Sequence, residues 1–172
     1  MPHIPQEIRN HICSYLSFRP KTKTELVDAL KNSLSRNLQT IQLAKDKYGP
    51  IEGWDVCCIQ DMSNLFFPFK DFNRNISKWN VSNVTNFHGM FRGCYKFNID
   101  LRHWNVERGE DFSHMFHGAR RFNRNLSKWK PRRAENMCYM MARTRCHSDL
   151  DVWMNYVEMT IPMTNIFYGI TK

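Results

Sequence analysis

Nine basic side chains crowd one stretch of the chain: Arg120, Arg121, Arg124, Lys128, Lys130, Arg132, Arg133, Arg143 and Arg145. Between His117 and Cys146 only Glu135 opposes them, a local +8 against a net +9 for all 172 residues. Burying unpaired cations is prohibitive, so all nine are expected to face water. Cations that close together act as one positive field, and the binding chemistry this suggests is capture of an acidic protein or another polyanion. The competing reading is a solvated face that only keeps the protein soluble. Nucleic acid ranks behind an acidic protein, because the aromatic residues occupy what look like core positions rather than a surface on which bases could stack.

Other reactive groups are scattered. His88, His103, His114, His117 and His147 fall at unlike positions of the repeat described below, and they are not expected to form one site. No Ser-His-Asp or Cys-His set can be argued from spacing, and no glycine-rich phosphate loop is present. Catalytic residues, an enzymatic activity and a cofactor are not expected. The six cysteines, Cys13, Cys57, Cys58, Cys94, Cys138 and Cys146, also differ in repeat position and are expected to be reduced. A zinc site needs ligand pairs at suitable spacing, and the adjacent pairs Cys57-Cys58 and Cys146-His147 are poor ones, so no metal is expected.

The chain has no apolar run of about eighteen residues, so no membrane insertion is expected. Its start, Met-Pro-His-Ile-Pro-Gln-Glu, lacks the basic and apolar regions of a secretory signal. An intracellular, unsecreted protein is the expectation. Oligomeric state is not legible.

What must position the basic residues is a repeat. Trp54, Trp79, Trp104 and Trp129 return every 25 residues. A fixed period of that length marks stacked coils. Five apolar columns travel with the tryptophans. They hold Met62, Phe87, Phe112 and Met137; Leu65, Met90, Met115 and Met140; Phe66, Phe91, Phe116 and Met141; Phe72, Phe97 and Phe122; and Ile76, Leu101 and Leu126. Like residues should stack on like and form continuous ridges. Two polar columns are as regular, Asn73, Asn98 and Asn123 and then Asn75, Asp100 and Asn125; Asn and Asp suit tight turns, and stacked Asn can also bond the coil above and below. Gly93 and Gly118 mark a turn with unusual backbone angles. Each coil is expected to hold a very short helix near Phe87–Arg92 and short strands flanking Phe72–Trp79. Residues 154–172 fit the period only with a small insertion and read as a closing coil.

Before the repeats, helices are expected. Ile4, Ile8, Ile12 and Leu16 recur every fourth residue behind Pro5, which suits a first helical turn. Thr22-Lys23-Thr24-Glu25 spells a capping box, with Leu26, Val27, Leu30 and Leu34 facing inward. Ser35 can cap a third helix whose inward residues are Leu38, Ile41, Ala44 and Tyr48, stopped by Gly49-Pro50. The expected class is α/β: a single-domain repeat solenoid with short strands, short helices and an N-terminal helical cap. Its parts are an N-terminal helix at 1–20, a leader at 21–53, four repeats at 54–153 and a closing coil at 154–172.

The unit Trp79-Asn-Val-Ser-Asn-Val-Thr-Asn-Phe-His-Gly-Met-Phe-Arg-Gly-Cys-Tyr-Lys-Phe-Asn98 resembles the BspA-like leucine-rich-repeat family, in the form noted in mycoplasma lipoproteins. The pattern departs at Gly109, Pro131 and Arg143. Many members of that family are surface adhesins that carry secretion or lipid signals, and similar unsecreted versions occur in large DNA viruses and protists. The resemblance implies a non-catalytic protein–protein interaction scaffold. In a viral setting it would be a structural or assembly component, located in the host cytoplasm or the virion. Residues 4–16 also resemble the first helix of an F-box. On that alternative Ile4, Pro5, Ile8, Ile12 and Leu16 would grip a ubiquitin-ligase adaptor while the repeats hold a target. A surface for polyanions or nucleic acid is the lesser alternative.

Overall fold

The computed structural model describes residues 17–146 and Ile166. Two helices open this part, α1 at Lys23–Ser33 and α2 at Leu38–Tyr48, followed by a 3-10 turn at Ile51–Gly53. The capping box forms at α1. The Thr22 hydroxyl accepts from the Glu25 amide at 3.2 Å, and the Glu25 carboxylate reaches back to the Lys21 amide at 2.6 Å. Leu26, Ala29 and Leu30 seat α1 in the core, with Val27 and Leu34 partly buried beside them.

Helix α2 differs from expectation in two ways. Its cap is Asn37, whose side chain accepts from the Thr40 amide, while Ser35 instead takes the Asn37 amide. Only Ala44 is fully buried, and Leu38 is 82% exposed. Starting the helix at Leu38 puts that residue in its first turn, off the Ala44 face, so it faces water. Gly49 ends the helix at φ 66, a left-handed conformation that glycine holds without strain.

From Trp54 the coils stack in register. The indole rings of Trp54 and Trp79 lie parallel with centroids 6.4 Å apart. Phe66, Phe91 and Phe116 stack at 5.2 and 5.4 Å, and Phe72, Phe97 and Phe122 at 6.1 and 5.9 Å. Every residue of the five apolar columns named above is buried. Ordered aromatic stacks on this scale give the coils their cohesion through apolar burial and ring–ring contact.

The α/β class does not hold. Among the described residues from Trp54 to Cys146 there is neither helix nor strand. Three single parallel bridges, Asp61–Asn86, Asn86–Asp111 and Asp111–Asn136, are the only strand-like pairings there. The coils are made of turns, and the hydrogen bonds show why. The amides of Met62, Asn64 and Phe66 donate to carbonyls of the next coil. The amides of Leu65, Phe67 and Phe69 lying among them donate three residues back within their own coil. A strand uses its amides on flanking strands, and a helix keeps them all internal. Here they are divided between the two uses, so neither element can grow. The backbone reinforces this. Asn64, Gly89, His114 and Tyr139, one column of the repeat, all have φ between 53 and 57. A left-handed residue there breaks the expected short helix near Phe87–Arg92 before it completes a turn.

Polar columns complete the stack. The Asn73 side chain accepts from the Asn98 amide at 2.9 Å, and Asn98 from the Asn123 amide at 3.2 Å. Asn75, Asp100 and Asn125 each accept from the amide two residues ahead. At the far end the Met141 amide donates to the carbonyl of Ile166, as the Phe116 amide does to Met140 one coil earlier.

Two departures from the repeat have local reasons. A Cβ on Gly109 would lie 2.2 Å from the ring of Phe112, so the ring takes the space a side chain would need. Pro131 stands in the column of Val56, Val81 and Val106, and its carbonyl accepts the same turn bond, from the Ala134 amide.

Candidate binding groove

The groove is built from one turn of successive coils. After each Phe66-type position the chain passes a column holding Pro68, Gly93, Gly118 and Arg143. Gly93 and Gly118 have φ 72 and 73, and Arg143 holds φ 57 despite its side chain. A Cβ on Gly118 would meet only ordinary contacts with Gly93, so conformation rather than space calls for glycine there. Gly118 is left bare, Lys70 reaches over Gly93 with its Nζ 3.0 Å from where a Cβ would stand, and side chains project from neighbouring positions. The result is a groove of about 740 Å³ lined by Arg92, Arg120, Arg121, Arg143 and Arg145, with Phe67, Tyr95 and His117.

Among the described residues none of these five guanidiniums is ion-paired. Asp71 lies close to Tyr95, but it is engaged by the Tyr95 hydroxyl and by Lys96 at 3.3 Å, which hold its carboxyl below the usual range. The two aromatics are each 42% exposed. Lys70 Nζ sits 3.4 Å from the centre of the Phe67 ring, with Arg92 at 5.8 Å, so cations cover that ring.

All nine basic residues singled out in the sequence are exposed. Four of them line the groove: Arg120, Arg121, Arg143 and Arg145. The other five do not. Arg124 donates to the Asn98 carbonyl at 2.9 Å, and Arg132 lies 3.7 Å from Glu107. Lys128, Lys130 and Arg133 stand on the turns either side of Trp129. Arg92, outside the basic run, joins the groove through the stacking of the coils, and Phe67 and Tyr95 join it in place of the core positions expected of aromatics. Ile4, Pro5, Ile8, Ile12 and Leu16 lie outside the described residues.

The histidines also depart from expectation. His88, His114 and His117 meet at one corner, with His88 and His114 ring centres 5.8 Å apart and His114 and His117 at 5.3 Å. Tyr139 stacks on His114 at 5.2 Å. Coil stacking brings together residues that differ by one position in the repeat. Ser113 Oγ donates to Asp111 at 2.6 Å and lies 2.7 Å from His88 Nδ1. Serine here sits between the carboxylate and the imidazole. A nucleophilic triad needs the imidazole in the middle, so the set is not one. Burial, then the charge of Arg92, lowers the pKa of His114; burial, then His114 and Arg92, lowers that of His117. Among the described residues no group of three or more His, Cys, Asp or Glu could hold a metal ion, and no helix is long and apolar enough to cross a membrane.

A family model described as "Mycoplasma protein of unknown function, DUF285" matches residues 32–153, which takes in α2 and the coils. The chain belongs to that family. The DUF285 match agrees loosely with the BspA-like resemblance of the repeat unit. No curated protein and no solved structure matches the chain.

Proposed function

We propose that this DUF285 protein is a non-catalytic interaction scaffold that holds an acidic protein partner in the arginine groove. The observation that carries the reading is the set of five guanidiniums around one groove, none of them ion-paired among the described residues. Such a set is costly to assemble without a counter-charge, and a partner's acidic groups supply it. The stacked coils suit the task because each adds its row of side chains to a stiff surface. The finer readings are an assembly role in a large DNA virus and an F-box-like docking helix at residues 4–16. They rest on the sequence resemblance alone.

A surface for single-stranded nucleic acid is the second reading, favoured by the exposure of Phe67 and Tyr95 beside the arginines. It is weaker because Lys70 already covers the Phe67 ring. Titrating the full chain with poly-glutamate and with oligouridylate, at low and physiological salt, tests both. Salt-sensitive binding of poly-glutamate supports the scaffold. Binding of oligouridylate alone replaces it with the nucleic-acid surface, and binding of neither leaves a solvated face.

A further inference from the structure

The groove's chemistry is more specific than positive charge. The five cations that line it are arginines, with Lys70 Nζ over Phe67 and Gly93 beside them. Arginine offers a planar fork that accepts two oxygens at once, which lysine does not. The cations also come from different coils: Arg92 from the second, Arg120 and Arg121 from the third, Arg143 and Arg145 from the fourth. Parallel pairing holds neighbouring chains about 4.8 Å apart, and the forks reach the groove from three successive coils at different positions of the repeat. A carboxylate satisfies one fork and carries one charge. A phosphate monoester carries about −1.5 to −2 at neutral pH and has three acceptor oxygens, so it can bridge forks on adjacent coils. No side chain crowds Gly118, and the one that reaches over Gly93 is Lys70, whose Nζ lies 3.0 Å from where a Cβ would stand and adds a further cation to meet such a group.

Resting on the acidic-partner reading, we infer that the groove takes a phosphorylated peptide segment, its phosphate bridging Arg92, Arg120 and Arg121. Tyr95 packs beside the peptide. Its hydroxyl is hydrogen-bonded to Asp71.

The test uses the full chain and labelled Gly/Ser peptides in three forms: with phosphoserine, with Glu at the same places, and unmodified. Oligouridylate serves as competitor. Two variants are compared, Arg120→Ser/Arg121→Ser inside the groove and Lys128→Ser/Lys130→Ser outside it, which remove equal charge. Thermal melts confirm that both fold. The phosphopeptide is expected to bind about tenfold more tightly than the Glu form, the worth of one more charge-assisted bond pair. That binding is lost in the Arg120/Arg121 variant and kept in the Lys128/Lys130 variant. Equal binding of the Glu and phosphorylated forms overturns the phosphate inference and leaves the acidic-partner reading standing. Binding of neither overturns both. Equal loss in the two variants shows a diffuse field rather than a groove, and oligouridylate displacing the phosphopeptide at lower concentration makes the groove a nucleic-acid site.

Discussion

The indole N–H of Trp129 donates to the carbonyl of Leu101 at 2.8 Å, 28 residues back along the chain. Trp104 makes the same bond to Ile76 at 3.2 Å and Trp79 to Ile51 at 2.8 Å. Trp54 has no coil before it, and the carbonyl of Tyr48 at the end of α2 takes its N–H instead. Each tryptophan therefore fills the core and also ties its coil to the one before.

These two roles can be separated. Trp79→Phe keeps most of the apolar bulk and removes one of two donors to the Ile51 carbonyl, which keeps the Trp54 amide at 3.3 Å, and is expected to cost about 0.5–1.5 kcal/mol. Trp79→Ala loses the ring as well and is expected to cost about 3–5 kcal/mol. Denaturant melts of both variants decide. A Trp79→Phe loss near zero would mean that the hydrogen bond contributes nothing, and a Trp79→Ala loss under about 1 kcal/mol would mean that the ring is not a core element.

Gly109→Val restores the residue type found at Val84 in the preceding coil, and on sequence grounds looks stabilising. The ring of Phe112 makes the opposite expectation. A Cβ would lie 2.2 Å from its Cζ and 3.1 Å from the Phe87 ring. Overpacking of this kind costs about 1–3 kcal/mol. A raised melting temperature for the variant would show that Phe112 has an alternative place to go.

The core columns were legible because a 25-residue period repeats the same residue type four times over, which no local propensity can obscure. The turn-built coils were not. The left-handed column holds Asn, Gly, His and Tyr, four unlike residues that give no common signal. Phe-His-Gly-Met-Phe-Arg at Phe87–Arg92 has helical apolar spacing, and the division of its amides between turn and neighbouring coil, with Gly89 left-handed, excludes a helix. The groove was half legible. Four of its five arginines belong to the basic run, but Arg92 lies 28 positions before Arg120 and joins them only through stacking. Phe67 and Tyr95 were misplaced because aromatic type is a poor guide at positions just past a core column.

Thiol chemistry follows the same division between column and surface. Cys94 is buried, its thiol donates to the Phe66 carbonyl at 3.2 Å, and burial pushes its pKa up to about 12. Cys146 is buried with its thiol on the Arg124 carbonyl, while Cys58 is exposed. Since the thiolate is the reactive form, a maleimide should label Cys58 first among the described cysteines of the native protein. Cys94 and Cys146 should label only at the rate at which the coils open. Peptide mapping after brief labelling checks this, and modification of Cys94 as fast as Cys58 would contradict a closed stack.

The histidine corner predicts a stability that depends on pH. His114 Nδ1 and His117 Nδ1 lie 3.3 Å apart, so one must donate and the other accept. That pairing needs at least one neutral ring. Burial lowers both pKa values, the charges of Arg92 and, at His117, Arg143 act in the same direction, and Asp111 opposes the shift only at His114. The unfolded chain titrates these rings near their ordinary value, about 6.5. Below that value the unfolded state binds protons that the folded state refuses, so stability falls as pH drops and levels off once the folded rings also protonate. His117→Gln keeps a hydrogen-bonding side chain and removes one titrating ring. His88, which packs on His114, is unchanged in the variant. Melting temperature is expected to fall between about pH 7.5 and about pH 5.5, and to fall less in His117→Gln than in the wild type. A wild type that is equally stable at both ends of that range would show that the corner is open enough to accept the charge, and the pairing of His114 with His117 would then carry no energetic weight.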